Sequence, residues 1–469
     1  MASADFEGRT AAFSHWFRGL PGAVFSDAIQ IVDLRSRGAG RGIVATRDIP
    51  ADTTLFTVPR SAIISSETCG LKEQVPALFE SRGDEDDEQP LDSWSALILI
   101  LMYEYLLGSQ SRWKPYMDVL PDTFDTPMFW SDDELSQLQA SATVNKIGKA
   151  SAEAIFRSRL LPAIRGNPTI FHSSGEYSDQ DLVRLAHRMG STVMAYAFDL
   201  ESDDDEEDDD ESDGWMEDQE GKSMMGMVAM ADILNADAEF NAHVNHGDNE
   251  LTVTTLRDIK AGDEILNHYG PHPNSELLRR YGYVTDKHSR YDVVEIPWEA
   301  VQNSLISELR VPREAVGKAM ETIDQDELED TFVLERNSGE PNADGTFASA
   351  AFVEDMPEDL KGQLKAVVKA LQNLDGTLFP PSKRRRNDVI KSVVVGALRS
   401  VASRYSTTAG EDEELLSNAN LDHRHRMAVV VRLGEKRLIE EACARFSGEA
   451  ARDAPDADLS ETKRTKRAG

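Results

Sequence analysis

Between residues 28 and 65 the apolar positions come in short runs broken by turn residues. Three strands are predicted there: Ile29–Val32, Gly42–Ala45 and Thr54–Val58, the last stopped by Pro59. From Leu91 the spacing becomes helical. Leu91, Trp94, Leu97, Ile98, Leu101, Met102 and Tyr105 share one face, and Leu99, Ile100 and Leu106 make the other side apolar as well. A buried helix over 91–107, ended by Gly108, is predicted. Ser131-Asp-Asp-Glu134 has capping-box spacing for another helix. Leu182, Leu185, Met189, Val193 and Tyr196 form a stripe that predicts a third, from Ser178 to Asp199. Further on, Leu251-Thr-Val-Thr-Thr alternates like a strand, a turn at Lys260–Asp263 precedes Glu264-Ile-Leu-Asn267, and residues 291–297 read as one more strand. Beyond Trp298 the period is helical to about Phe446. The class is α+β: a β-rich first part with a helical insert, then an all-helical domain.

The length of 469 residues exceeds one ordinary core, and the size prior suggests about three units. Acids outnumber bases 84 to 50, a formal net charge of −34, so direct nucleic-acid binding is not expected. The charge is concentrated. Residues 201–220 hold 14 acids and no base, and such a block is expected to be a disordered loop. Asp84–Glu88 is expected to be a smaller surface loop, and Pro380 to Asn387 to interrupt the helical pattern. The last residues, from 448, read as a disordered basic tail. The longest strictly apolar run, Ala96–Met102, is too short to span a bilayer, so no membrane association is expected. The N-terminus has no charged-then-apolar leader pattern, which points to an intracellular protein. Two cysteines, Cys69 and Cys443, exclude a disulfide framework and a cysteine-cluster zinc site.

Few motifs carry chemistry by themselves. Gly38-Ala39-Gly40-Arg41-Gly42 between two strands allows a close backbone approach to a ligand, yet by itself it reads better as a plain hairpin turn. It lacks the spacing of a dinucleotide fingerprint. Gly221-Lys222-Ser223 ends like a phosphate loop, but Met216 stands where glycine is required. No G-x-S-x-G elbow is present. His243, His246, His268 and His272 have no established ligand spacing, and Asp232, Asp237 and Glu239 read better as helix-end and loop acids than as cation ligands, so no metal is expected.

One combination is more specific. Met230-Ala-Asp-Ile-Leu-Asn235-Ala236 is followed by Glu264-Ile-Leu-Asn-His-Tyr269-Gly270 and then Arg280-Tyr281-Gly282-Tyr283. With the Gly38–Gly42 turn, Arg112–Tyr116, Pro127–Trp130, Met194–Phe198 and Leu415–Asn418 in order, it resembles the SET-domain protein-lysine methyltransferases. Within them it is similar to the Rubisco large-subunit methyltransferase type, and most to the fungal ribosomal lysine methyltransferase four and its animal relatives. The resemblance covers roughly residues 20–446. It implies a SET domain over 20–290 with a helical insert at about 66–225, a helical substrate-binding domain over 291–447, and S-adenosyl-L-methionine as cofactor. It implies Tyr269 as the catalytic tyrosine. Ala39, Gly40 and Arg41, through their backbone, with Tyr196, Asn235 and Ala236, are implied to bind the cofactor. Trp94, Asp199 and Tyr281 are implied to line the substrate lysine. The family's Asn-His pair reads Asn235-Ala236 here, which bears on cofactor affinity.

On residues alone, Tyr269 reads better as a core tyrosine closing a strand; Trp94 reads equally as core, and Asp199 can be one more acid before the run at Glu201. Periodicity places Asp199 on the helix face of Tyr196. The resemblance implies a basic ribosomal protein as partner, monomethylated on lysine, and the acidic charge suits such a partner. A protein-histidine methyltransferase and a non-catalytic binding module are the alternatives. Lys383–Arg386 and Lys463–Arg467 read as nuclear import signals or as solvated charge, and the nucleus is the expected location, with cytoplasm beside it.

Overall fold

The computed structural model describes residues 3–80, 89–200, 224–324, 328–376 and 383–448. The acidic run at 201–220, the loop at 84–88, the phosphate-loop lookalike at 221–223 and the tail from 449 lie outside the described residues.

Strands form where alternation predicts them. Ile29–Asp33 and Arg41–Ala45 pair antiparallel, with Ile31 opposite Ile43. Thr54–Pro59 joins a four-stranded antiparallel sheet in the order Val24–Phe25, Thr54–Pro59, Glu250–Thr255, Ala242–His246. In Glu250–Thr255 the residues Leu251, Val253 and Thr255 face inward, as a period of two requires. Nearly two hundred residues separate the two central strands, and the helical insert fills that gap.

The helix Ser93–Leu107 is the insert's core. Asp92 caps it by accepting the Ser95 N–H at 2.8 Å, and Gly108 ends it at φ 56°. Glu104 is buried inside it but accepts from Ser111 Oγ at 2.6 Å and from the Cys69 thiol at 3.4 Å, so the carboxylate is not left without donors. The predicted capping box of Ser131 with Glu134 is present, and the structure adds a second, Ser178 with Asp181. The helix starting at Asp179 ends at Tyr196, three residues short of expectation. Ala197–Asp199 instead pair with Met225–Met227 as a short antiparallel ribbon. Asp199 therefore does not share a helix face with Tyr196. Strand partners at 225–227, invisible to periodicity, replace the last helical turn.

A helix at Ser3–Arg18 was not anticipated. Its Phe6, Phe13 and Phe17 are buried, and Phe13 packs on Tyr116 with ring centroids 6.0 Å apart.

The C-terminal part has its own core, with Leu360, Leu364, Val367, Val393, Val394, Leu398, Leu438 and Ile439 among its buried residues. It is mostly helical, with one ribbon, Val294–Pro297 with Thr331–Leu334, and a non-helical stretch over 335–357 that holds a single bridge between Asn337 and Phe352. Of the interruption expected from Pro380 to Asn387, residues 380–382 lie outside the described residues, and the rest is the start of a helix over Lys383–Ala402. Its buried stripe, Ile390, Val393, Val394, Ala397 and Leu398, carries the helix back through residues 383–386, where arginine and lysine are good helix formers.

The helix His423–Ser447 joins the two parts. Met427, Ala428 and Val431 pack with Trp130, Leu138 and Leu278, whereas Leu438, Ile439, Ala442 and Phe446 belong to the C-terminal core. Between these sets Arg432 is buried against Asp412 at 2.7 Å and donates to the Gln137 carbonyl at 2.5 Å. No helix among the described residues is long and apolar enough to cross a membrane.

Candidate active site

Two strand fragments distant in sequence set the site. Asn235–Ala236 pairs in parallel with Leu266–Asn267, so the segment after Asn267 starts beside the strand that Leu234 leads into. Tyr269 lands there, and its hydroxyl donates to the Leu234 carbonyl at 2.5 Å. The Tyr269 ring stacks on Tyr281 at 4.8 Å and 24°, and Tyr281 lies 6.1 Å from Tyr283. Tyr281 is the last residue of the helix Asn274–Tyr281. Gly282, at φ 77°, ends that helix, and a Cβ there would press on the Asp125–Thr126 backbone at 3.1 Å. The Tyr283 hydroxyl reaches the Ala236 carbonyl at 3.4 Å.

The electrostatics favour neutral phenols. Burial pushes Tyr269 well above its ordinary range, reinforced by Tyr283, Tyr196, Tyr281 and Asp232 around it. Tyr196 is pushed up to about 12 by burial and then by Asp232. Burial also raises Tyr281. Tyr269 therefore keeps its proton, and donates it to Leu234, throughout the working pH range.

The glycine turn abuts this group. Gly38 has φ 80°, closing a short helical turn at Arg35–Arg37. A Cβ added at Gly38 or Gly40 would meet no atom within 4 Å, so the turn faces open space. Gly42 is the opposite case: a Cβ would come within 2.8 Å of Glu264 Oε1 and 2.9 Å of Asn235 Nδ2. Asn235 Nδ2 donates to the Arg41 carbonyl at 3.2 Å and to Glu264 Oε1 at 2.7 Å, which ties the turn to the strand pair. The Ala39 N–H donates to the Leu34 carbonyl, and the Gly40 carbonyl accepts from Leu34 N–H. The Arg41 side chain points elsewhere, donating to Thr10 Oγ1 and the Val119 carbonyl at 2.9 Å and lying 4.0 Å over the Phe6 ring. Only its carbonyl meets Asn235.

The structure thus brings Tyr269, Tyr281, Tyr196, Asn235, Ala236 and the backbone of the 39–41 turn into one neighbourhood. Trp94 is half-buried, stacked on Phe156 at 6.0 Å, and close to Gly190 of the helix that ends in Tyr196. Asp199 is exposed at the end of its ribbon. Trp94 lies against that helix, and Asp199 is on the ribbon that extends it.

Two protein families match in order along the chain, a SET domain over residues 40–270 and a Rubisco LSMT substrate-binding domain over residues 318–439. The chain belongs to the SET-domain protein-lysine methyltransferases. It is 34% identical to ribosomal lysine N-methyltransferase 4 of Saccharomyces cerevisiae over 64% of this chain and 60% of that protein. It is 28% identical to the human N-lysine methyltransferase SETD6 over 90% of this chain and 88% of that protein. Its fold is similar to Rubisco LSMT bound to AdoMet, with a TM-score of 0.60 at 20% identity over 94% and 92% of the chains. The SET domain of LSMT bound to lysine and AdoHcy gives 0.61 at 19%, over 95% and 92%.

Sequence reasoning missed three contributors to this SET-domain site. Tyr116 donates to the buried Asp232 Oδ2 at 2.5 Å, Glu264 accepts from Asn235, and Tyr283 reaches Ala236. The sequence pattern alone gives Asp232 as a helix-end or loop acid. It is 8% exposed, and burial pushes its carboxyl up to about 7 against the pull of the Tyr116 hydroxyl. A signal was available: an acid inside Met230-Ala-Asp-Ile-Leu, among buried apolar neighbours, requires a donor from elsewhere.

Proposed function

We propose that this protein uses S-adenosyl-L-methionine to monomethylate a lysine of a basic ribosomal protein. The observation that carries the reading is the Tyr269 hydroxyl, anchored on Leu234 inside a tyrosine cluster and beside an open glycine turn tied in by Asn235. The open turn at Gly38 and Gly40 and the amide of Asn235 fit a cofactor held by backbone and polar groups. When bound, that cofactor supplies an electrophilic methyl on a sulfonium. The SET-family match and structural neighbours with AdoMet or AdoHcy support this assignment. The yeast relative's name and the net charge of −34 support a basic ribosomal substrate.

The nucleophile must be a neutral amine, and with a reference pKa near 10.4 only about 0.04% of free lysine is neutral at pH 7. A partly dry channel lined by neutral phenols disfavours the ammonium form. Because the Tyr269 proton is committed to Leu234, its oxygen lone pairs are left to accept from the amine and fix its direction. Orientation of this kind supplies several kcal/mol of rate enhancement.

The test is labelled S-adenosylmethionine in an extract, with mass-spectrometric location of the methyl group. A single methyl on a ribosomal-protein lysine is expected, and Tyr269→Phe should bind cofactor but lose most transfer. A methyl on histidine would replace the lysine assignment, and no transfer at all would leave a binding module. For location we propose the nucleus, on the basic runs Lys383–Arg386 and Lys463–Arg467. Tagged protein should shift to the cytoplasm when both runs are neutralised, and an unchanged distribution would sink the signal assignment.

A further inference from the structure

Tyr116 and Asp232 come from different parts of the chain, the insert's Lys114–Met117 helix and the turn Ala231–Ile233, yet they meet in a buried hydrogen bond of 2.5 Å. Two features make this turn unusual. It is entered through Met230 at φ 82° and ψ −42°, a backbone that non-glycine residues adopt only where the surroundings hold it. It also leads directly into Leu234, whose carbonyl receives the Tyr269 hydroxyl. One five-residue segment therefore carries a buried anchor in its middle and the receptor for the reacting tyrosine at its end.

The groups facing Asp232 come from three further elements. Tyr116 donates to it from the insert, Tyr196 faces it from the end of the helix Asp179–Tyr196, and Tyr269 faces it from the chain after Leu266–Asn267. The N–H groups of Met230 and Asp232 favour its carboxylate, although no hydrogen bond of full geometry reaches Oδ1 among the described residues.

We propose that the Tyr116–Asp232 pair is a positioning device for methyl transfer: it holds the strained Met230–Leu234 turn, and through the Leu234 carbonyl the Tyr269 hydroxyl, and it does so best with Asp232 ionised. A carboxylate accepts a shorter and stronger bond from a phenol than a carboxylic acid does. Burial raises the carboxyl to about 7, which puts the change between the two forms inside the working pH range. The inference rests on the methyltransferase reading above.

The experiment compares wild type, Tyr116→Phe, Asp232→Asn and the double variant in kcat, KM, cofactor Kd and melting temperature, from pH 6 to pH 9. The substrate amine gives every protein an acid limb, so the readout is the difference from wild type. Removing the Tyr116 donor raises the Asp232 pKa further, so in Tyr116→Phe kcat falls about tenfold or more and its acid limb moves to higher pH. Asp232→Asn loses the Asp232 part of that limb. Cofactor Kd stays within about twofold in both, since the pair acts on the reacting hydroxyl rather than on binding. The double variant is no slower than the slower single one, because partners in one unit do not add.

Equal losses at every pH, multiplicative losses in the double variant, or unchanged kcat would each overturn the proposal. If Asp232→Asn fails to fold, the pH profile of Tyr116→Phe decides alone. Wild-type protein that transfers no label would overturn the functional reading itself, whereas an active wild type with unshifted variants overturns only this inference.

Discussion

Replacing Glu435 by Gln isolates one buried carboxyl at the junction of the two parts of the chain. Glu435 is 6% exposed; Ser141 Oγ donates to Oε1 at 2.6 Å and the Tyr405 hydroxyl donates to Oε2 at 2.8 Å. Burial is the largest influence, and with Asp292 and Glu295 nearby it pushes the carboxyl from its ordinary 4.5 up to about 8, against the two hydroxyl donors. Between those values the folded chain holds a proton that the unfolded chain has released. Stability must therefore fall as pH rises through that window, and the penalty is complete above about 8. The slope is about 1.4 kcal/mol per pH unit, so raising the pH from 5.5 to 7.5 costs about 3 kcal/mol through this group alone. Glutamine cannot ionise, and its amide can accept from one hydroxyl and donate to the other. Urea unfolding of wild type and Glu435→Gln at pH 5.5, 6.5 and 7.5, at fixed salt, measures the difference. Asp292, which burial raises to about 7, contributes a parallel slope to both proteins and cancels in that difference. The variant should gain on wild type by about 1.4 kcal/mol per pH unit. Parallel curves would refute the buried neutral carboxyl.

Asp412→Ala should cost about 3–5 kcal/mol, because it strands Arg432 and Lys436, which are buried against that carboxylate at 2.7 and 2.5 Å. A thermal melt lowered by less than a few degrees would show that the cations find other partners. Gly42→Ala should lose cofactor affinity and about 1–3 kcal/mol of stability, since its Cβ crowds Glu264 and Asn235 and pushes the 38–42 turn out of place. Calorimetric titration with S-adenosylmethionine checks this, and an unchanged Kd would detach the turn from the cofactor site.

Much of the local structure was legible. Gly108 ends the buried helix, Ser131 forms its capping box with Glu134, the next helix starts after Ser178, and the alternation at 251–255 is an inward-facing strand. The errors share one cause, which is partners supplied from a distance. The helix expected to reach Asp199 stops at Tyr196 because Met225–Met227 provide a ribbon edge, and the basic segment at 383–386 is helical because the stripe after it is buried. In the site, Tyr269, Tyr281, Asn235 and Ala236 were named through the order of their motifs. Periodicity alone left Tyr269 as a core residue.

The sequence by itself determined which stretches alternate, which carry a helical stripe, where caps and turns fall, and which family the motifs belong to. These properties depend on residues a few positions apart, and composition and spacing record them directly. Only the tertiary structure decided that Tyr269 anchors on Leu234, that Tyr116 bonds Asp232, and that Glu435 is buried between Ser141 and Tyr405. Each of those contacts closes a loop of some thirty to three hundred residues. A hydrophobic pattern tells which face of an element is buried. It does not tell which polar group will be waiting there, and in this protein the charge states that matter are set by that group together with the depth of burial.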